Sequence, residues 1–483
     1  MEQVRIYSPR DEAAVVAALP VLMQEAETLR AQDVAPTVVA RRAITDTILS
    51  FVREHKRVVY GGYALNAAVC AVSPTDAFYS CDPEVAPPDI EFYSPDPVSD
   101  VCKLCLALHA AGHGYVQGKE AMHHGTFTVS VEFTRVCDVT YVPTDAYAHL
   151  PTVTDSNEGV EVIAPSFAMI DLLRVICDPF TSYWRLDKMF SRLCLLQRTF
   201  PLTVSTSALP SCTAEKWVAP LGAGIARTVL SARPTSCVAI GFAAYCSYFP
   251  EVAMATGYHS NVVSAVSANW KVDTADLEAE LVAAFGRDRV EVFKHHPFMD
   301  IFGARHVYVV DENVVAVLYD AGHRAVPTCG RHDLDGLAIA AFPYVLMMAL
   351  ACAFHAQVEG VSDGVADRYN HMAGAMCALR SAQLEEYGLT VTDRNTHLRD
   401  FGGMQYVGCT LSPMRSHMLL IDERMKTRRG QEQAWFTFDP SKKRDEKGAL
   451  PHRSFANVSG SLVVASDTTA KPARTRGGKI MRP

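Results

Sequence analysis

Arg57-Val58-Val59-Tyr60-Gly61-Gly62-Tyr63-Ala64-Leu65-Asn66 is followed by Asp89-Ile90-Glu91-Phe92-Tyr93 and later by Val136-Cys137-Asp138-Val139-Thr140-Tyr141. The first stretch reads as a short β-branched strand that a glycine pair turns into a helix beginning near Tyr63. The second reads as a strand on which Asp89 and Glu91 face the same way while Ile90 packs behind them. The third places Asp138 between apolar Cys137 and Val139 on a neighbouring strand. Carboxylates held this close repel, and each resists ionisation unless cations lie between them. Hard carboxylate oxygens suit Mg²⁺ or Mn²⁺, ions that keep positions open for water and phosphate oxygens. The glycine pair lets the backbone approach phosphates, and the first amides of the helix bind negative charge. Each feature alone is weak. In this order and spacing they predict that Asp89, Glu91 and Asp138 hold two metal ions against a nucleoside triphosphate, with Gly61 and Gly62 at its phosphates, which is nucleotidyl transfer. Asp138 is expected to serve the ion that activates an attacking 3′-hydroxyl, and Asp89 and Glu91 to bridge both ions.

A helix expected from Ser182 to Arg198 supplies the complement. Arg185, Lys188 and Arg192 fall at i, i+3 and i+7, one basic stripe beside the apolar Leu186, Met189, Phe190 and Leu193. Such a stripe across a cleft from the acids neutralises triphosphate oxygens or steers an RNA backbone. Lys188 is the first choice for a phosphate contact, with Arg185 beside it. Tyr183 is a candidate for stacking on a base, and Arg192 for RNA.

Outward from this region, apolar residues at helical spacing predict a helix over 37–55, another over 98–111, and adjacent strands at 125–130 and 135–142. Ser166 is the expected N-cap of a helix ending at Asp178-Pro179. The mixed order argues for an α/β (α+β) fold. A weak repeat follows: Val238-Ala239-Ile240-Gly241-Phe242 echoes Val58-Val59-Tyr60-Gly61-Gly62, and Asn313 to Tyr319 echoes Arg135 to Tyr141, putting Ala316 where Asp138 stands. The expected organisation is an N-terminal helical segment (1–40), a catalytic unit with flanking helices (41–201), a linker rich in Pro, Ser, Thr and Gly (202–235), a degenerate copy of the first unit (236–455) and a basic, disordered tail (456–483). The tail's Lys471, Arg474 and Arg476 are candidates for loose RNA contact.

Composition narrows the class. Lys+Arg 45 against Asp+Glu 53 gives a net charge of −8, so nucleic-acid contact must use local basic stripes and not an overall field. The start has no apolar signal region. The apolar run from Leu337 to Phe354, broken by Pro343, reads as a buried core helix, so no membrane is expected. The 14 Cys, scattered in apolar sequence, read as reduced thiols of a cytosolic protein. Cys102, Cys105, His109 and His113 spread along about 16 Å of one helix and cannot close around one ion. No nucleophile elbow and no Walker pattern occurs.

With Asp178-Pro179-Phe180-Thr181-Ser182-Tyr183-Trp184-Arg185-Leu186-Asp187-Lys188 added, the quoted motifs resemble the poly(A) polymerase catalytic subunits of poxviruses and other large nucleocytoplasmic DNA viruses, most of all the giant-virus branch. The likeness is specific over residues 40–200 and diffuse afterwards. It implies a polymerase-β-like nucleotidyltransferase domain followed by a degenerate second one, adding AMP from ATP to mRNA 3′ ends with two Mg²⁺ or Mn²⁺ ions. It also implies work in the cytoplasmic viral factory or the virion, and either a separate processivity subunit or a homodimer. By position, Asp89, Glu91 and Asp138 match the metal triad and Gly61 and Gly62 the phosphate turn; Glu91 stands where some relatives have Asp. Two alternatives keep the fold: another terminal transferase of uridylyl or CCA type, and a silent RNA-binding subunit.

Overall fold

The computed structural model describes residues 8–34, 36–80, 85–122, 125–202, 220–233, 235–250, 262–295, most of 297–408 and parts of 418–442. Lys471, Arg474 and Arg476 lie outside these. No helix among the described residues is long and apolar enough to cross a membrane.

Two helices, α1 (Pro9–Val34) and α2 (Val38–Glu54), precede the first unit. Thr37 caps α2 by accepting the Ala40 amide, and Ile44, Ile48, Leu49 and Val52 are its buried face. The unit then runs β1 (Val58–Tyr60), α3 (Gly61–Val72), β2 (Ile90–Ser94), α4 (Pro97–Ala110), β3 (Gln117–Glu120), β4 (Thr126–Val131), β5 (Thr134–Tyr141), α5 (Thr144–Tyr147), β6 (Thr152–Asp155), β7 (Val160–Ile163), α6 (Pro165–Cys177), α7 (Pro179–Ser182) and α8 (Leu186–Thr199). The second unit runs α9 (Pro220–Ser231), β8 (Cys237–Ala239), α10 (Gly241–Tyr248), β9 (Val263–Ser267), α11 (Trp270–Phe285), β10 (Val290–His295), β11 (Arg305–Val310), β12 (Asn313–Asp320), β13 (Ala325–His332), β14 (Ala338–Ala340), α12 (Phe342–Val358), α13 (Asp363–Glu386) and β15 (Gln405–Gly408), and β16 (Thr437–Phe438) closes the series.

Each unit builds one mixed sheet. The first has the order β16-β3-β4-β5-β2-β1-β7-β6 and the second β10-β11-β12-β9-β8-β14-β13-β15. In both, a strand turned by a positive-φ glycine into a helix lies antiparallel to the next strand, which runs parallel to the second arm of a hairpin. The hairpins agree in detail. Glu132-Phe133 and Asp311-Glu312 turn with positive φ, and one extra residue, Val136 or Val315, bulges opposite the Val129/Ser130 or Tyr308/Val309 step. The repeat is therefore real, and its register corrects the sequence reading. Glu91 pairs with Asp138, and Ser264 pairs with Val317. The counterpart of Asp138 is thus Val317; Ala316 corresponds to Cys137. By the same register Asp89 and Glu91 correspond to Val262 and Ser264, Arg135 to Val314 and Thr128 to Val307.

One core runs through both units. α6 packs on α12, where Phe167 meets Phe354 edge-on at 4.8 Å. Most of the apolar run expected as a core helix is indeed buried; it divides into β14 and α12, and Pro343 sits in the first turn of α12, where its missing amide costs nothing. Ala164, not Ser166, is the N-cap of α6, because Pro165 opens the helix. Within the stretch read as a linker, α9 packs on β9 and β12 of the second sheet. Thr437 and Phe438, read with the second unit, instead pair with β3 and edge the first sheet.

Candidate active site

Asp89 stands immediately before β2, Glu91 is its second residue, and Asp138 lies beside Glu91 on the parallel neighbour β5. Adjacent strands lie about 4.8 Å apart, so the three acids form one cluster. Gly61 opens α3 at φ 72°, a left-handed conformation, and a Cβ there would collide with the Glu91 carboxylate. The Gly62 amide donates to Glu91 Oε2 at 3.3 Å. The sequence signals of glycine turn and acids thus meet at one point.

The electrostatics follow from this crowding. Burial and the neighbouring Asp138 push the Glu91 carboxyl up to about 6, against the pull of Arg135 and the Gly62 amide. Burial also raises Asp138, opposed by Arg135 and by Thr128, whose hydroxyl donates to Asp138 Oδ1 at 2.7 Å. Two arginines that the motifs do not announce supply the countercharge. Arg41 of α2 donates to Asp89 Oδ1 at 3.0 Å and to the Pro87 carbonyl at 3.3 Å. Arg135 reaches Asp89 Oδ2 at 3.5 Å and Asp138 Oδ2 at 3.4 Å. Hard carboxylate oxygens that already draw a cation are the donor type that Mg²⁺ or Mn²⁺ takes. As placed here, with Arg135 between two of them, no three acids among the described residues stand close enough to share one ion.

The basic stripe divides between two elements. Arg185 ends a 3-10 turn, Tyr183–Arg185, and Lys188 and Arg192 lie on α8. Lys188 lies within charge range of Glu91 and Asp89, and Arg185 within range of Asp138. Burial and then Arg192 lower the Lys188 ammonium. An open groove of about 370 Å³ is lined by Phe78, Tyr79, Lys188, Ser191, Arg192 and Leu195. Arg192 lies 4.7 Å over the Phe78 ring and donates to the Tyr79 hydroxyl at 2.9 Å. That hydroxyl sits where a Cβ of Gly62 would be. Asn66 of α3 accepts the Phe78 and Tyr79 amides at 2.9 and 3.0 Å and so fixes the loop beneath the groove. Tyr183 is exposed and meets only Trp184 among the described rings. Phe78 and Tyr79 carry no motif, and only the polar Asn66 just after the glycine turn hints at an anchored loop.

Two family models match, one on each unit: poly(A) polymerase catalytic subunit over residues 46–182, and the C-terminal part of the APMV poly(A) polymerase catalytic subunit over 258–469. A protein of Acanthamoeba polyphaga mimivirus named as a poly(A) polymerase catalytic subunit is 27% identical over 87% of this chain and 76% of its own length. One of African swine fever virus (strain Badajoz 1971 Vero-adapted) is 28% identical over 36% of this chain and 37% of its own. The crystal structure of the Megavirus polyadenylate synthase superposes with a TM-score of 0.76 at 26% identity, covering 91% of this chain and 88% of that one. Matched on both units and along most of its length, the chain belongs to the poly(A) polymerase catalytic subunits of large DNA viruses.

Proposed function

We propose that this enzyme is a template-independent RNA adenylyltransferase that adds AMP from ATP to mRNA 3′ ends, in the cytoplasmic factory of the infected cell. The observation that carries the reading is the meeting of Asp89, Glu91 and Asp138 beside the Gly61 turn, on one unit only of a duplicated fold. Bound there, two Mg²⁺ or Mn²⁺ ions neutralise the triphosphate and acidify the primer hydroxyl. Asp89 and Glu91 would hold the ions, and Asp138, on the primer side, would help hold them and take the proton of the 3′-hydroxyl. The 3′-oxygen then bonds to the α-phosphorus of ATP, the α–β phosphoanhydride bond breaks, and pyrophosphate leaves. The amides that open α3, with Lys188 and Arg185 opposite, bind the triphosphate. Arg192, stacked on Phe78 and tied to Tyr79, shapes the groove in which ATP lies. Lys471, Arg474 and Arg476 give the tail its hold on RNA.

The test is an RNA primer with Mn²⁺ or Mg²⁺ and each nucleoside triphosphate separately. Long products with ATP alone support polyadenylation, and equal extension by UTP or CTP refutes it. Asp89→Ala or Asp138→Ala is expected to abolish incorporation with folding intact. Retention in both sinks the assignment.

A further inference from the structure

We propose that Arg135 is the resident counter-cation of the carboxylate cluster, holding the gap between Asp89 and Asp138 until a divalent ion takes it, so that metal entry is a cation exchange. The inference rests on the reading of the three acids as metal ligands. A permanent arginine–carboxylate pair is short and forked. Arg57 makes one with Asp100, at 2.5 and 3.1 Å, against a carboxylate whose side chain is 1% exposed. Arg135 instead reaches one oxygen of each of two acids, at 3.5 and 3.4 Å, and its side chain is 46% exposed. It has solvent to move into. Arg41 is the fixed partner: 14% exposed and held also by the Pro87 and Arg135 carbonyls, it anchors Asp89 Oδ1 and leaves Oδ2 facing the cluster.

The placement of Arg135 is built by the backbone. Residues three apart on a regular strand face opposite ways, but the extra residue Val136 turns Arg135 back to the face of Asp138. The second unit is an internal control. It keeps the bulge at Val315 and carries Val314 and Val317 where the first unit has Arg135 and Asp138. The bulge and the hairpin therefore stand without the arginine, which is present only where the acids are. The other charges facing this cluster come from α2, β2, α6, the 3-10 turn and α8: Arg41, Glu91, Asp171, Arg185 and Lys188.

The experiment measures Mn²⁺ affinity of the full-length protein without ATP, from the free-ion electron paramagnetic resonance signal. D138N is expected to weaken binding at least about tenfold, as loss of one ligand from a hard-oxygen site does. R135Q is expected to tighten it by about tenfold, a half-exposed ion pair being heavily screened, and R135K to restore the wild-type value. R135V, the residue type the second unit carries here, repeats the measurement if R135Q does not fold. Unchanged or weaker binding in R135Q, with D138N still impaired, overturns the role of Arg135 alone. So does R135K binding as tightly as R135Q, because charge is then not the cause. Unchanged binding in D138N overturns the metal reading beneath it.

Discussion

Gly61→Ala and Gly241→Ala form a matched pair, because the duplicated fold places both glycines at the same strand-to-helix turn. Their φ angles are 72° and 61°, so each alanine meets the same left-handed strain, about 1–2 kcal/mol. Roughly 0.5–1 kcal/mol returns through the smaller entropy of the unfolded chain. Backbone strain alone should therefore cost each variant about 1 kcal/mol of stability, measured by urea unfolding, and in Gly61→Ala the displaced Glu91 carboxylate adds to that loss. Their surroundings differ. A Cβ at Gly241 lies 3.5 Å from Ser264 Cβ, ordinary contact. At Gly61 it strikes the Glu91 carboxylate, which can escape only by giving up the Gly62 amide and its place among the acids. Misplacing a catalytic group by an ångström costs on the order of a hundredfold in rate. ATP incorporation onto an RNA primer should stay within about twofold of wild type in Gly241→Ala and fall about a hundredfold in Gly61→Ala. Equal loss in the two variants, or full activity in Gly61→Ala, would refute the reasoning.

Two further outcomes follow from the same geometry. Glu91 titrates at about 6 in the fold against an ordinary 4.5, so between these values the folded metal-free protein binds more protons than the unfolded chain, and its stability falls as pH rises through the window. Metal favours the ionised form, so calorimetry at pH 6 in buffers of different ionisation enthalpy should show about half a proton released per binding event; no release would contradict the placement of Glu91 among the ligands. Thr128→Val removes the donor to Asp138 Oδ1; kcat should fall about tenfold with KM for ATP unchanged, because the hydroxyl that orients the Asp138 carboxylate is lost while the triphosphate contacts remain. A change confined to KM would assign Thr128 to substrate binding instead.

Much of this was legible because it is local. A strand, a glycine turn and acids spaced by two are patterns of a few residues, and period-two alternation suffices to put Asp89 and Glu91 on one face. The repeat was legible as an echo of apolar strands, but not its register. A one-residue shift of an almost wholly apolar strand leaves its apolar match intact, and both copies bulge at the same place, so nothing in the residues marks the slip from Val317 to Ala316. The same bulge hid Arg135, which on a regular strand would face away from Asp138. Arg41 lies far from the acids in sequence, on a helix whose apolar spacing marks its buried face and says nothing of where its arginines reach. The groove formed by Phe78, Tyr79 and Arg192 joins a loop to a helix across more than a hundred residues, and nothing in either segment requires the other.

What the second unit keeps and loses separates structural polar groups from chemical ones. Ser94 donates to buried Asp100 at 2.6 Å, and Ser267 donates to buried Asp273 at the same distance; the pair survives duplication because it ties the strand end to the following helix. Thr128, Arg135 and Asp138 do not survive: the register gives Val307, Val314 and Val317. Burial pushes the Asp138 carboxyl up, so its surroundings disfavour the charged form. Replacing a buried ion pair by packed apolar residues is often neutral or stabilising by about 1–4 kcal/mol, and the exposure of Arg135 argues for the low end of that range. Single changes leave a partner stranded. Thr128→Val/Arg135→Val/Asp138→Val together leave none of the three and copy a solution that this fold already contains. The triple variant should be inactive and more stable than wild type by about 1 kcal/mol in urea at pH 7, while Arg135→Val alone should be less stable by a similar amount. A triple variant less stable than wild type would mean that the carboxylate cluster contributes to folding, and that the second unit lost its acids at a cost met elsewhere.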